Sequence, residues 1–109
     1  MAVKPGVADT QAYEFGPYRL ERGKRRLLRN GEPISLTPKA FDTLLALIER
    51  HDRVVDKAEF MKLVWPDSFV EEANLSQTIF VLRKTLGEGP DGRPYIDTVP
   101  GRGYRFGAD

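Results

Sequence analysis

The sequence predicts an α+β fold: a small N-terminal antiparallel sheet, three helices and a C-terminal β-hairpin. Three observations carry the prediction. Asn30-Gly31 stands between the runs RRLLR and EPISL, and a tight primed turn needs positive φ at both central positions, which Asn and Gly supply. Leu75, Ile79, Leu82 and Leu86 recur at i, i+4, i+7 and i+11 within NLSQTIFVLRKTL, Asn74 to Leu86, which gathers them into one stripe of a helix. Finally, YIDTVPGRGYRF, Tyr95 to Phe106, reads as two short strands, Tyr95–Val99 and Tyr104–Phe106, around Pro100-Gly101-Arg102-Gly103.

Composition narrows the function. A chain of 109 residues makes one domain whose core every element must share. With no Cys and a single His, His51, thiolate nucleophiles, zinc knuckles and serine–histidine hydrolase chemistry are nearly excluded, and a fold without disulfide, metal or cofactor is expected. No apolar run approaches the roughly 20 residues that span a bilayer, and MAVKPGVADTQ lacks the apolar centre of a signal peptide. A soluble, cytoplasmic chain without membrane contact is the expectation. Seventeen Lys and Arg against sixteen Asp and Glu leave net charge uninformative about nucleic acid. The distribution says more. Between Pro17 and Arg29, six basic residues (Arg19, Arg22, Lys24, Arg25, Arg26, Arg29) face Glu21 alone, a net of +5. From Glu71 to Asp109 five basic residues face six acidic ones, a net of −1. If this last third binds DNA, bulk attraction does not hold it there, and a lone copy should bind weakly.

In chain order, residues 1–12 have no periodicity and are expected to be a flexible tail, with residues 13–109 forming the domain. Residues 13–36 alternate short runs (YEFG, PYRLE, RGKRRLLR, NGEPISL) with turn residues, giving three or four short strands. Their basic cluster can touch phosphate, but edge Lys and Arg commonly serve only to block edge pairing, and that reading is favoured. Residues 37–86 hold the three helices. Thr37-Pro38 opens the first, with Thr as N-cap and Pro where its missing N–H costs nothing. Ala40, Phe41, Leu44, Leu45, Leu47 and Ile48 make its wide apolar face the centre of the core, and His51 at its end reads as a capping group without chemistry. Val54 and Val55 can add a short strand. Asp56-Lys57-Ala58-Glu59 has the form of a capping box opening the second helix, with Phe60, Leu63 and Val64 inward and Pro66 stopping it after Trp65. The connection Pro66–Val70 is longer than the turn of about 3–4 residues in a plain helix-turn-helix. The third helix ends at Leu86, Gly87 to Pro94 is a loop, and residues 95–106 are the hairpin. There is no internal repeat or second domain.

Asn74, Gln77, Val81 and Lys84 turn away from the buried stripe of the third helix. Three helices followed by a hairpin, with amide and hydroxyl side chains exposed on the last helix, form the winged helix-turn-helix. Such a helix fits the major groove, where Asn and Gln pair with adenine and apolar side chains meet the thymine methyl. Gln77 and Val81 occupy the middle of the outward face, with Thr78 beside them and Lys84 one turn on. Phe80 also projects partly outward and is expected to pack beneath the hairpin rather than touch bases. Asn74 and Gln77 have a competing role, because N-x-x-Q at a helix start can be a capping pair. Arg102, flanked by two glycines, is the candidate for a minor-groove or phosphate contact, its alternative being a solvated turn charge.

With these strings in view the chain resembles the OmpR/PhoB-type winged-helix DNA-binding domain, especially its CadC/ToxR-like branch. The match runs from Phe15 to Phe106 and rests on LTPKAFDTLLALI, VWPDSFVEE, ANLSQTIFVLRKTLG and YIDTVPGRGYRF. The resemblance implies a four-stranded N-terminal sheet, three helices and a wing, acting in sequence-specific transcription regulation. It matches Lys57, Trp65, Thr78 and Tyr104 to positions that touch phosphate. Asn74, Gln77 and Val81 match the groove-facing set, and Arg83 and Lys84 a basic pair near the helix end. Taken with the residue reading, the base-reading candidates are Asn74, Gln77, Thr78, Val81 and Lys84. The phosphate candidates are Lys57, Trp65, Arg83 and Tyr104, and the wing candidate is Arg102. The loop Pro66 to Val70 matches the segment that meets RNA polymerase in some relatives, although Phe69 is more safely a core plug.

The departures matter as much. The response-regulator branch places arginines where Phe80 and Val81 stand and at the Pro100 position, so its base-reading pattern does not transfer. The receiver domain is missing too, and control by phosphorylation is not expected. CadC/ToxR-like relatives often continue into a membrane helix, so a chain ending at Asp109 is expected to be the N-terminal module of such a protein. The expected partners are double-stranded DNA, a second copy of the domain as a dimer or in tandem, and RNA polymerase. The alternative is a protein-interaction module in which the wing, Phe80 and Val81 engage polymerase or another copy without reading DNA. No convergent set of titratable groups points to an enzyme.

Overall fold

A computed structural model describes residues 4–5, 12–67, 70–89 and 92–107. Five strands, β1 (Lys4–Pro5), β2 (Ala12–Phe15), β3 (Tyr18–Glu21), β4 (Arg26–Arg29) and β5 (Glu32–Ile34), form an antiparallel sheet in that order. Asn30 and Gly31 take φ of 50° and 85° between β4 and β5, where Arg29 pairs with Glu32, as the primed turn requires. Four of these strands answer the predicted sheet. The fifth corrects the boundary of the tail: Lys4 and Pro5 pair with Glu14 and Tyr13, and Ala12 is fully buried in β2. A two-residue edge strand with a proline has no periodicity to read, so only its partner reveals it.

The rest of the chain folds as α1 (Pro38–Glu49), β6 (Val55–Asp56), α2 (Lys57–Val64), α3 (Glu72–Leu86), β7 (Ile96–Val99) and β8 (Gly103–Phe106). Thr37 caps α1 as expected, its Oγ1 accepting from the Ala40 N–H at 3.2 Å with Pro38 at the helix start. Phe41, Leu44, Leu47 and Ile48 from α1 meet Leu75, Ile79, Leu82 and Leu86 from α3 in one core. Complete burial of such a side chain contributes about 1.5–3 kcal/mol. The His51 imidazole Nδ1 lies 2.9 Å from the Ile48 carbonyl, at the end of α1.

The second helix departs from its prediction in two respects. Asp56 is the N-cap, but its side chain makes no capping bond. Glu59, expected to complete the box, is drawn instead to Arg53 at 2.7 Å and Arg50 at 3.2 Å, two charge-assisted bonds that outcompete one bond to a backbone N–H. The end of the helix is held by Lys39, whose Nζ donates to the Val64 carbonyl at 2.6 Å. Phe60 and Val64 are buried, whereas Leu63 is 42% exposed rather than inward. The inward face of α2 is centred on Phe60 and Val64 and leans toward Met61, which packs against the core, so Leu63 on the opposite flank faces solvent. Ser68 and Phe69 lie outside the described residues, and with them the expected core plug.

The second sheet has the order β6-β8-β7; the short strand expected at Val54 and Val55 lies one residue on, at Val55–Asp56, and joins the wing through Val55–Tyr104 and Asp56–Gly103 pairing. A Cβ on Gly103 would lie 2.0 Å from the Val55 carbonyl oxygen, so glycine is what lets β6 and β8 meet. At the base of the wing Phe15, Tyr18, Tyr95 and Phe106 pack as a cluster, Phe15 lying 5.1 Å from Phe106 and 5.5 Å from Tyr95 between ring centroids. The Tyr18 hydroxyl donates to the Leu86 carbonyl at 2.7 Å, closing the end of α3 onto the first sheet.

The basic cluster of the first sheet is mostly internally paired. Arg19 bonds Glu14 and Glu21 at 3.1 Å each, Arg26 bonds Glu21, Arg25 pairs with Asp42 at 2.8 Å and Arg22 with Glu49 at 3.6 Å. The last two tie the sheet to α1. The Arg26 hydrogen bond lowers the Glu21 carboxyl below its ordinary value, against the opposing effect of burial.

Candidate nucleic-acid interface

The exposed surface of α3 begins earlier than the sequence suggested. Glu71 is the N-cap, without a side-chain cap bond, and Asn74 already lies in the first helical turn. Asn74 Nδ2 donates to the Glu71 carbonyl at 3.2 Å and accepts nothing from Gln77, so the Asn–Gln capping pair does not form. Thr78 donates its hydroxyl to the Asn74 carbonyl at 2.8 Å, which leaves an oxygen lone pair toward solvent. Gln77 is exposed and, among the described residues, its amide has no protein partner. Its two hydrogen-bonding groups are free for a ligand.

Phe80 is 53% exposed and Val81 38%. The expectation that Phe80 packs beneath the hairpin is therefore corrected. Arg83 occupies that place, its guanidinium donating to the Ile96 carbonyl at 3.0 and 3.2 Å and to Thr98 Oγ1 at 2.6 Å, and lying 5.9 Å from the Tyr104 ring. A charged donor group fitted to acceptors on β7 ties the wing to α3. Arg83 is thus a strut between two elements rather than a free cation. Lys84, one residue on, sits with its Nζ 5.0 Å from the Phe80 ring centroid.

The wing tip reaches back to the start of α2. The Lys57 N–H donates to the Arg102 carbonyl at 3.0 Å, and Arg102 Nη2 lies 3.6 Å from Asp56 Oδ1. Lys57 Nζ lies 3.1 Å from Glu72 Oε1 in the first turn of α3. The hairpin tip, the second helix and the third helix thus converge on one edge. Asp56 and Glu72 are the partners that sequence reasoning missed. Asp56 was assigned to a cap, and nothing local signals that Glu72 lies opposite Lys57, 15 positions away. Both cations face solvent, Lys57 with 40% and Arg102 with 62% of its side chain exposed.

Trp65 and Tyr104 bury their rings, yet neither the indole N–H nor the hydroxyl is a buried unpartnered atom, so both polar tips reach the surface. Trp65 is 9% exposed and Tyr104 7%, and both belong to the core, with Tyr104 edge-on to Phe60 at 5.9 Å. Pro66 and Asp67, in the loop between the helices, are exposed and Val70 is half-buried. Among the described residues no group of His, Cys, Asp and Glu is arranged to hold a metal ion, and no helix is long and apolar enough to cross a membrane.

A helix presenting an amide, apolar side chains and a lysine beside a hairpin tipped by arginine is the arrangement of a winged helix-turn-helix. Residues 31–106 match the family described as "Transcriptional regulatory protein, C terminal", and the chain belongs to that family. The chain is 38% identical over 80 residues to the transcriptional regulator HilA of Salmonella typhi, a match covering 73% of this chain but 14% of HilA. It therefore spans about one-seventh of that relative's length. Among solved structures, the DNA-binding domain of CpxR from E. coli superposes with a TM-score of 0.79 at 26% identity, covering 90% of this chain and 98% of that one. The DNA-binding domain of E. coli CadC gives 0.78 at 28% identity, covering 99% and 96%.

Proposed function

We propose that this domain binds double-stranded DNA sequence-specifically in transcription regulation, with α3 in a major groove and the wing at the adjacent minor groove. The observation that carries the reading is the outer face of α3. Gln77 has an unpartnered amide at its centre, bordered by Lys84, on a helix that the core holds rigidly through Leu75, Ile79, Leu82 and Leu86. An amide so exposed can pair bidentately with adenine, and a side chain locked to a rigid helix makes that pairing selective. Membership of the transcriptional regulatory family and the likeness to the CpxR and CadC DNA-binding domains support the same reading.

The roles divide by exposure. Gln77, Val81 and Lys84 read bases, with Asn74 and the Thr78 hydroxyl oxygen at the entry of the helix. Lys57 engages a phosphate and Arg102 enters the minor groove. Trp65 and Tyr104 anchor their rings in the core and offer the indole N–H and the hydroxyl to phosphate, while Arg83 holds the wing to α3. Because Lys57 and Arg102 each lie beside a carboxylate, DNA phosphate must compete with Glu72 and Asp56 for them. With few free cations on the face, a lone domain binds modestly and a second copy on a neighbouring half-site supplies the remaining affinity. Such a role places the domain in the cytoplasm, with access to the chromosome.

Fluorescence anisotropy on duplexes enriched from a random pool tests the proposal. Gln77→Ala should weaken the enriched duplex by about 1–3 kcal/mol while leaving a scrambled duplex unchanged. Arg102→Ala should weaken both. Equal affinity for enriched and scrambled duplexes would refute specific readout.

A further inference from the structure

The large hydrophobic side chains exposed among the described residues are Leu63, Phe80 and Val81, and two of the three stand on the outer face of α3. Successive residues leave a helix roughly 100° apart, so Phe80 and Val81 point to opposite flanks of that face. Gln77 and Lys84 run between them. Phe80 lies on the flank toward Arg83 and the wing, with Lys84 Nζ 5.0 Å from its ring centroid. The apolar surface is therefore two separate spots divided by a polar row. The two spots do not merge into the continuous apolar patch of several hundred Å² that marks a hydrophobic protein-docking surface. Lys84 stands between the spots, and Lys57 and Arg102 lie at the wing edge, each beside a carboxylate that a DNA phosphate would displace.

The floor of the major groove presents one apolar group, the C5 methyl of thymine; cytosine carries a hydrogen there. We infer that Phe80 and Val81 are specificity-determining residues that each receive a thymine methyl, one on either side of the base pair addressed by Gln77. The preferred site thus contains two A·T pairs flanking the Gln77 contact. This rests on the DNA-binding reading above and adds to it the identity of the group that is read. The Lys84 ammonium over the Phe80 ring keeps one ring face covered and leaves the remaining edge for the methyl.

Replacing thymine by deoxyuridine removes the methyl and nothing else. Using the 109-residue chain and the enriched duplex, each thymine is replaced singly and the Kd measured. Two positions should each lose about fourfold, the equivalent of one buried methyl group, and the others nothing. With Phe80→Ala the loss should vanish at one of the two positions, and with Val81→Ala at the other. Both side chains are partly exposed, so these variants should keep the wild-type thermal midpoint to within a few degrees, and the deoxyuridine scan of the unmodified chain requires no variant at all. Specific binding without any deoxyuridine effect would overturn the inference while leaving the DNA-binding reading intact. Failure to enrich any duplex would remove both. If Phe80→Ala abolished self-association in sedimentation and left every deoxyuridine penalty unchanged, the spot would belong to a second copy of the chain and the inference would be wrong.

Discussion

Arg83 separates the geometry described here from an assignment based on position alone. If it is a strut, its substitution damages the attachment of the wing; if it is a phosphate ligand, its substitution damages DNA affinity only. Three donor–acceptor contacts to Ile96 and Thr98 are involved, at 3.2, 3.0 and 2.6 Å. Hydrogen bonds from a charged donor contribute about 1.5–3 kcal/mol each when buried. Because the group is only half-buried and two of the contacts share one carbonyl, the total is nearer 2 kcal/mol. Arg83→Met, which keeps the length of the side chain, should therefore lower the thermal midpoint by about 10 °C in a domain of this size. Arg83→Lys keeps the charge but loses the planar fork, and should recover less than half of that. The salt dependence of DNA binding should be unchanged in either variant, since no phosphate contact is lost. The assays are thermal denaturation by circular dichroism and Kd against salt. A wild-type midpoint combined with a log Kd–log salt slope reduced by about 0.9 would refute the strut.

Four other outcomes are expected. Tyr18→Phe should cost about 1–2 kcal/mol in urea unfolding, because the Leu86 carbonyl at the end of α3 loses a buried donor at 2.7 Å. Gly103→Ala forces a Cβ against the Val55 carbonyl oxygen and should destabilise by about 3 kcal/mol or more while abolishing DNA binding, since β6 must leave β8. Glu21 and Glu59 have carboxyl groups lowered below 4.5, chiefly by hydrogen bonds from Arg26 and Arg53. Groups depressed in the folded state stabilise above their unfolded value, so thermal midpoints should fall as pH drops below 4.5, and Glu21→Gln should flatten that acid limb. Glu72→Gln frees Lys57 from the carboxylate 3.1 Å away and should tighten binding to any duplex by about 2–5-fold at low salt, read by anisotropy.

What the sequence made legible was what local chemistry decides. Asn30-Gly31 selects its own turn, Thr37-Pro38 its own helix start, and the spacing of Leu75, Ile79, Leu82 and Leu86 its own buried face. The failures share a different cause. Asp56 and Glu59 had the form of a capping box, but Arg50 and Arg53 lie close enough only after the turn following α1 has formed. Phe80 and Arg83 are both plausible props for a hairpin, and the choice depends on the Ile96 carbonyl being within reach of a guanidinium. That is a fact of how β7 lies on α3, not of residue type. Trp65 and Tyr104 read as surface contacts by position, and the sequence did not show that their rings would be core residues with only the polar tips at the surface. At the site, the outward residues were legible from helical periodicity. The pairing of Lys57 with Glu72 and of Arg102 with Asp56 was not, since the first needs the packing of α2 on α3 and the second the register of the wing against β6.

The central claim is that α3 reads a defined DNA sequence from the major groove while the wing lies at the neighbouring minor groove. Footprinting on the enriched duplex with one reagent that attacks guanine N7 in the major groove and another that cleaves along the minor groove tests both halves together. The account predicts a discrete major-groove protection with a minor-groove protection beside it, the second lost in Arg102→Ala and the first weakened in Gln77→Ala. Protection spread evenly along the duplex, or a pattern that neither substitution changes, would contradict it.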